Sequence, residues 1–583
     1  MHRRWLINRT NHEYILYLSR AASVSPVVAQ ILVNRGVKTP EEITAFLSPS
    51  AAGLSDPFNM PGIQAAVERI FRAAKDNERV LVHGDYDADG ITATAIVLKT
   101  LRTMGMDCHY FIPDRLKHGY GFKAEGVRRA KDLGAGLLIT VDCGITSFEA
   151  AALAKHELID IIITDHHEPL LDNGSNGAGM NTDGVAELKS PRFVLPEALV
   201  VINPKAGNCN PNIENLSGAG VALKLAHALL MKCDKGSEVL ELTDLAAIGT
   251  AADVVPLTGE NRIIVQAGLK LMESSPRHGI REMKKVSGID GRELKAGQLS
   301  FTLIPRINAA GRISGCGDVV SLLLTESHDE AQELSLWLDG LNGQRQGIEE
   351  MVYQEALLKL GSKEPGPVIV LSSEGWHRGV IGIVASRIAE TFCRPVFIIS
   401  IDGDSARGSA RSIPAVDIYK AISSCADFLT GFGGHKQAAG IELRTVDISA
   451  FEECINRVVG ETLDKDNFTP VLQIDADVDF CDITFSLARE LKMLEPFGFG
   501  NPEPLLGARH LEVLSPRVVG SKHLKMKLRQ KSQALEAIGF DMGHFMDSLD
   551  FSSNIDAVFT PCINEWEGRR CLQLNLKALR PST

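Results

Sequence analysis

The 583 residues exceed what one domain holds, and 44% hydrophobic with 23% charged residues is ordinary globular composition, with apolar material for several cores. No run nears the roughly 18 apolar residues of a membrane span, no apolar segment follows the basic start MHRRWLINRTNHEY, and the eleven cysteines include no CxxC pair. A membrane protein, a zinc knuckle and a disulfide framework are thereby excluded, a cytoplasmic chain with mostly buried thiols is expected, and the net charge of −12 argues against coating nucleic acid through bulk charge while leaving room for a local basic groove.

Residues 1–64 mix short helical patterns with Pro and Gly breaks and form an N-terminal segment without a readable role. Residues 65–260 alternate short apolar runs with helical stretches, which predicts an α/β lobe on a parallel sheet. Val80–Val82, Leu137–Val141, Ile159–Ile163 and Leu199–Ile202 have the β-branched, all-apolar character of buried parallel strands. A Gly- and Asn-rich stretch between Leu170 and Arg192 predicts a flexible surface insertion. Residues 261–360 are mainly helical and predict a connector between lobes. Residues 361–465 predict a second α/β lobe, with a strand at Val368–Leu371 and a helix at Val380–Ala389. From 466 to 583 short alternating runs and turns predict a small β-barrel module.

The strongest chemical signal is His83-Gly84-Asp85-Tyr86-Asp87-Ala88-Asp89-Gly90, directly after a predicted strand and before an amphipathic helix. Three Asp at alternate positions cannot form a buried strand, because unpaired buried carboxylates cost several kcal/mol each. On a loop they can turn together around a cation. A calcium loop of EF-hand type is disfavoured, since the place of its bidentate Glu, counted from Asp85, is Ile96. Asp142-Cys143-Gly144 and Thr164-Asp165-His166-His167 follow the next two predicted strands. Ligands of open parallel sheets bind at the carboxyl ends of the strands, so the three clusters aim at one cleft. A lone Asp there is usually a helix cap and a lone His usually structural, but three sets together predict a metal site. Asp253, alone in GTAADVVP, reads equally as a turn residue or a ligand. Carboxylate and imidazole ligands suit Mn²⁺ or Mg²⁺, and two such cations sharing a carboxylate suit phosphoester hydrolysis.

These three clusters resemble the motifs of the DHH phosphoesterase family, named for the sequence present here as Asp165-His166-His167. The resemblance continues in Gly433-Gly434-His435-Lys436-Gln437-Ala438-Ala439-Gly440, similar to the signature of the DHH-associated (DHHA1) substrate-binding domain. Arg306-Ile307-Asn308-Ala309-Ala310-Gly311-Arg312, the segment from Trp376 to Gly382 and Ile112-Pro113-Asp114-Arg115 resemble the exonuclease branch of that family, in consistent order over about 65–580. The resemblance implies a DHH lobe and a DHHA1 lobe joined by the helical connector, with an OB-like barrel after them. It implies Asp87, Asp89, Asp142, His166 and Asp253 as metal ligands with Asp142 as the bridge, His83 and Asp85 as ligands or near neighbours, and His167 as a histidine acting beside the metals. It further implies substrate contacts from Arg115, Arg306, Asn308, Arg312, Ser372, Ser373, Arg378, Gly433, Gly434 and His435. For each arginine the plainer alternative is a structural ion pair, and for the glycine loop a plain turn.

In the last module Arg517, Lys522, Lys525, Lys527, Arg529 and Lys531 occur with no acidic residue between Arg517 and Lys531. On an extended strand Lys525, Lys527, Arg529 and Lys531 share a face, either merely solvated or a track for a DNA backbone, with Lys522 beside it. Phe497 and Phe499 are candidates for stacking bases, with core packing the favoured alternative. The resemblance implies cleavage of single-stranded DNA from the 5′ end with two divalent cations, Mn²⁺ or Mg²⁺, in repair and recombination. It also implies contact with single-strand-binding protein and a RecQ-type helicase, and a monomer is expected. Two competing readings are a DHH hydrolase of small phosphoesters, disfavoured by the extra C-terminal module, and a non-catalytic DNA-binding scaffold, disfavoured by the intact motifs.

Overall fold

The computed structural model describes residues 3–582 except 9, 116–118, 120, 173–192, 208, 275, 362–364, 464, 549, 551–552 and 567. The Gly- and Asn-rich stretch predicted as an insertion lies almost wholly outside the described residues.

The N-terminal segment belongs structurally to the far end of the chain. Strand β1 (Arg4–Ile7) pairs in parallel with a strand at Val471–Ile474. Three helices follow, His12–Ala22, Pro26–Asn34 and Pro40–Leu47, capped by Asn11, by Ser25 before a first-turn proline, and by a Thr39–Glu42 capping box. Their inward side chains, among them Leu18, Ile31 and Ile43, share one core with Leu506, Leu524 and Phe559 of the C-terminal module.

The first lobe is a five-stranded parallel sheet built from β2 (Val80–Gly84), β3 (Cys108–Phe111), β4 (Leu137–Val141), β5 (Asp160–Thr164) and β8 (Val200–Ile202), in the order β3-β2-β4-β5-β8. A two-stranded arm, β6 (Leu170–Leu171) with β7 (Phe193–Val194), flanks the undescribed stretch. Strands β2 and β4 are buried along their whole length, as their unbroken apolar runs require. Edge strand β3 was not among the predicted strands, because its CHYF sequence is only partly buried and lacks that signal. Among the described residues no single helix is long and apolar enough to cross a membrane. All eleven cysteines are free, but only five are buried, four are intermediate and two exposed, so the expected predominance of buried thiols is not met.

Helices from Gly259 onward form the connector, ending in a 33-residue helix, His328–Leu360. It leads to the second lobe, a mixed sheet of β9 (Ile369–Glu374), β10 (Val396–Asp402), β11 (Ser405–Arg411), β12 (Gly431–Gly434) and β13 (Ala438–Arg444), ordered β12-β13-β11-β10-β9. After β14 (Val471–Ile474) and β15 (Ala476–Asp477), strands β16 (Leu506–Val519), β17 (His523–Gln530), β18 (Gln533–Gly539), β19 (Ile555–Trp566) and β20 (Arg569–Pro581) make the C-terminal barrel, closed by pairing of β16 with β19. One buried guanidinium, Arg262, joins three regions by donating to the carbonyls of Phe46, Met493, Leu494 and Glu495.

Candidate metal centre

Strand register brings the three motifs level. Gly84 pairs with Val141, and Val141 with Thr164, so Asp85, Asp142 and Asp165 each leave the sheet at the same edge. Asp142 does so in the left-handed conformation, φ +59°, which a short polar side chain tolerates better than most. Asp87 caps the helix Ala88–Thr103 by accepting from the backbone N–H groups of Asp89 and Gly90. Asp89 accepts from the N–H groups of Gly218 and Ala219, at 2.7 and 2.8 Å, where the helix Gly218–Lys232 presents its positive end. Glycine is required at two of these approaches: a Cβ on Gly218 would lie 2.4 Å from Asp142 Oδ1, and one on Gly249 2.6 Å from Asp89 Oδ1.

Three ligand sets result, Asp85–Asp87–Asp142, Asp89–His166–Asp253 and Asp142–His166–His167, each with its ligand atoms within 4.8 Å of one another. Asp142 and His166 each belong to two sets, as expected for neighbouring cations sharing a carboxylate. His166 Nε2 lies 3.1 Å from Asp142 Oδ1, 3.5 Å from Asp253 Oδ2 and 3.9 Å from Asp89 Oδ2. Asp85 Oδ1, Asp142 Oδ1 and His166 Nδ1 are buried without a hydrogen-bond partner. Burial and then neighbouring carboxylates push Asp85, Asp89 and Asp142 well above the ordinary carboxylate range, while burial and the His167 charge lower His166 to about 4, leaving a neutral imidazole. Mutually repelling buried carboxylates, orphaned lone pairs and a neutral imidazole are what divalent cations satisfy, so the residues present fit the metals.

His83 stands apart from these sets, as a near neighbour of the ligands and not a member of them. Its ring packs edge-on against Phe111 and Phe122, Nδ1 lies 3.7 Å from Cys143 Sγ, and burial lowers it to about 4. It supports the floor from behind. Asp165, not singled out as a site residue from the sequence, is the organiser of the third cluster. Its Oδ1 accepts from the backbones of His166 and His167 and from His167 Nδ1 at 2.7 Å, and Oδ2 accepts from Ile145 N. Burial alone would raise Asp165, but the bond to His167 outweighs it and holds the carboxylate at about 2; the same bond, against burial, lifts His167 to about 9.

Close to Tyr86 and Asp85 lies a cluster of arginines from separate segments. Arg115 stacks over the Tyr86 ring, 5.1 Å from its centroid. Arg312 donates to Gly379 O, and burial followed by the charges of Arg115, Arg345 and Arg411 lowers it to about 10. Arg411, at the end of β11, is lowered by burial and by Arg115. Sequence reading missed Arg411, whose only signal is its position opposite Ala438 of the glycine-rich hairpin. Cations that depress one another are matched to an anion that bridges them.

Other expected substrate contacts are engaged within the protein. Arg306 pairs with Asp339 at 2.7 Å, the structural alternative. Asn308 accepts from Ala88 N and so anchors the aspartate loop. Ser373 donates to Glu355, the Ser372 carbonyl accepts from Lys359, and Arg378 pairs with Asp402. Gly433 and Gly434 end the exposed strand β12, paired with Gly440 and Ala439 of β13, and His435 opens the turn between them, its N donating to Ala438 O. In the barrel the basic face meets carboxylates that the linear sequence placed elsewhere: Lys522 with Asp541, Lys527 with Glu536 and Arg529 with Glu512. Lys531 is off the strand face, in the turn at φ +54°, and pairs with Asp479. Lys525 has no carboxylate partner among the described residues. Phe497 packs against the barrel core, as favoured, whereas Phe499 is 59% exposed.

Two α/β lobes, a carboxylate–histidine cluster at the carboxyl edge of a parallel sheet and a barrel beyond define a metal-dependent phosphoesterase. Residues 79–250 match the DHH family, N-terminal domain, residues 365–461 the DHHA1 domain, and residues 474–578 the RecJ OB domain. The chain belongs to the RecJ family of single-stranded-DNA-specific exonucleases. It is 38% identical to the RecJ of Bacillus subtilis over 98% of this chain and 70% of that one, and 34% identical to the RecJ of Salmonella typhimurium over 96% of both. Among solved structures it matches RecJ from Thermus thermophilus in complex with Mn²⁺, with a TM-score of 0.83 and 30% identity over all of this chain and 80% of that one. It also matches the Mg²⁺ complex, with a TM-score of 0.77 and 29% identity over all of this chain and 79% of that one.

Proposed function

We propose that this chain is a metal-dependent exonuclease that shortens single-stranded DNA from the 5′ end, releasing 5′-mononucleotides in DNA repair and recombination. The observation that carries the reading is the sharing of Asp142 and His166 between ligand sets, beside the arginine cluster. Asp85, Asp87 and Asp142 would hold one divalent cation, and Asp89, His166 and Asp253 a second, with Asp142 adjoining both. Bound there, Mn²⁺ or Mg²⁺ supplies the charge that polarises the phosphoryl oxygens and activates water.

The protein's own groups do the rest. Arg115, Arg312 and Arg411 hold the terminal 5′-phosphate, which sets the next phosphodiester over the carboxylate floor. His167, kept protonated and oriented by Asp165, donates its proton to the leaving 3′ oxygen of the terminal nucleotide. The shortened strand then carries a new 5′-phosphate for the same arginines. The same reading makes the protein a cytoplasmic monomer working beside single-strand-binding protein and a RecQ-type helicase.

The test uses single-stranded DNA labelled at either end, with Mn²⁺, Mg²⁺ or EDTA. Immediate release of the 5′ label as a mononucleotide, with duplex spared and EDTA silent, is expected. Release from the 3′ end would overturn the polarity, and turnover of dinucleotides alone would remove the polymer substrate.

A further inference from the structure

Single exposed apolar side chains are ordinary on protein surfaces. Around Asp253 there are three, supplied by three separate segments. Val254, the next residue, is 74% exposed. Phe301 ends the helix Ala296–Phe301 and is 85% exposed, while Ser300 before it lies with its hydroxyl 3.4 Å from the carbonyl of Ala251, two residues ahead of Asp253. Phe499 is 59% exposed, and its carbonyl accepts from Leu257 N at 2.8 Å, four residues beyond Asp253.

The turn that carries Phe499 is tied down by hydrogen bonds. Gly498 and Asn501 exchange backbone hydrogen bonds, and the fully buried Asn501 side chain donates to the carbonyls of Leu494 and Pro496. Gly500 sits so close to Pro256 that a Cβ would come within 2.8 Å of its ring. The turn carrying Phe499 is therefore pressed onto the loop that follows the metal ligand.

Nothing in the metal chemistry uses these side chains, and their segments border the loop that carries Asp253. Every nucleobase has a flat π-face, and a base inside a duplex has both faces covered by its neighbours. An aromatic shelf beside the cleft can take only an unstacked base, so it favours a single strand without reading sequence.

We propose that Phe301, flanked by Val254 and Phe499, is a base-stacking shelf for the single strand entering the metal cleft. The proposal rests on the exonuclease reading above and makes Phe301 a specificity-determining residue.

The experiment compares the full-length protein with its Phe301→Ala and Phe301→Trp variants on 5′-phosphorylated oligodeoxythymidine. A second set of substrates carries one abasic nucleotide at successive positions from the 5′ end. Phe301→Ala is expected to raise KM about tenfold, the size of one base–aromatic stack, with kcat within about twofold, and Phe301→Trp to restore KM. One abasic position should raise KM for the parent protein and leave the Phe301→Ala variant unaffected. A parent protein that cuts single strands while Phe301→Ala keeps its KM and its abasic profile overturns the shelf alone. A parent protein that cuts no single strand removes the exonuclease reading, and the shelf with it.

Discussion

The floor of the metal cleft and the outer face of the barrel both concentrate like charge, and the protein treats them oppositely. At the floor, Asp85, Asp89 and Asp142 are buried among like charges, and Asp85 and Asp142 each leave an oxygen without a partner. On β17, Lys527 and Arg529 are answered by Glu536 and Glu512 on the adjacent strands. Buried charge without an internal partner is costly and persists only where a ligand completes it; exposed, internally paired charge contributes little to stability or binding. A charge run in a sequence therefore carries functional weight only once its partners across the fold are known.

The largest effect that would break this contrast is at Asp142. Asp142→Asn keeps a residue that tolerates the left-handed backbone while removing the shared charge. Turnover should fall about a hundred- to a thousandfold, the scale of losing one preorganised electrostatic contact. In EDTA the melting temperature should rise, because a repelling carboxylate is gone, and added Mn²⁺ should stabilise the variant less than the parent. Near-normal turnover would remove Asp142 from the metal centre.

An intermediate effect lies at Asp165, where the buried charge does have a partner. Its folded value of about 2 lies below the ordinary 3.8, so its contribution to stability is full above 3.8 and lost as pH falls through 2. His167, at about 9 against 6.5, contributes fully below 6.5 and loses that contribution as pH rises through 9. Asp165→Asn should cost about 1.5–3 kcal/mol at pH 6 in EDTA, as for hydrogen bonds to a charged group, and should abolish the stability loss between pH 6.5 and 9. Its rate profile should lose its alkaline limb at lower pH than the parent's. Unchanged denaturation curves at pH 6 and pH 9 would refute the pair.

The smallest effect sharpens the barrel side. Lys525→Gln should lower the salt slope of binding to an oligodeoxythymidine by about one, the signature of one lost phosphate contact. Arg529→Gln, already neutralised by Glu512, should change affinity less than twofold. Fluorescence anisotropy at several salt concentrations separates them. Equal losses would mean that DNA displaces the carboxylate and that pairing does not silence the strand.

Much of the cleft was legible because its signals are local. Apolar runs with β-branched residues announce parallel strands, and parallel strands end at one edge, so the aspartates that follow three of them converge. The same locality could not show which partners each side chain has. His83 sits in the motif but turns into an aromatic pocket; Arg306 and Asn308 lie in a characteristic segment but hold Asp339 and the aspartate loop. Arg411 had no local signal at all, since its neighbours Arg115 and Arg312 come from other segments.

The sequence by itself determined the class of chemistry, the two lobes, the connector and the C-terminal barrel, because hydrophobic period and motif spacing act over a few residues. Only the tertiary structure decided that residues 4–7 pair with 471–474, that Arg262 ties the N-terminal segment to the connector and the barrel, and which cations remain free to meet a phosphate. Those outcomes depend on which surfaces meet across hundreds of residues, where burial removes water as a partner and each charge must find another.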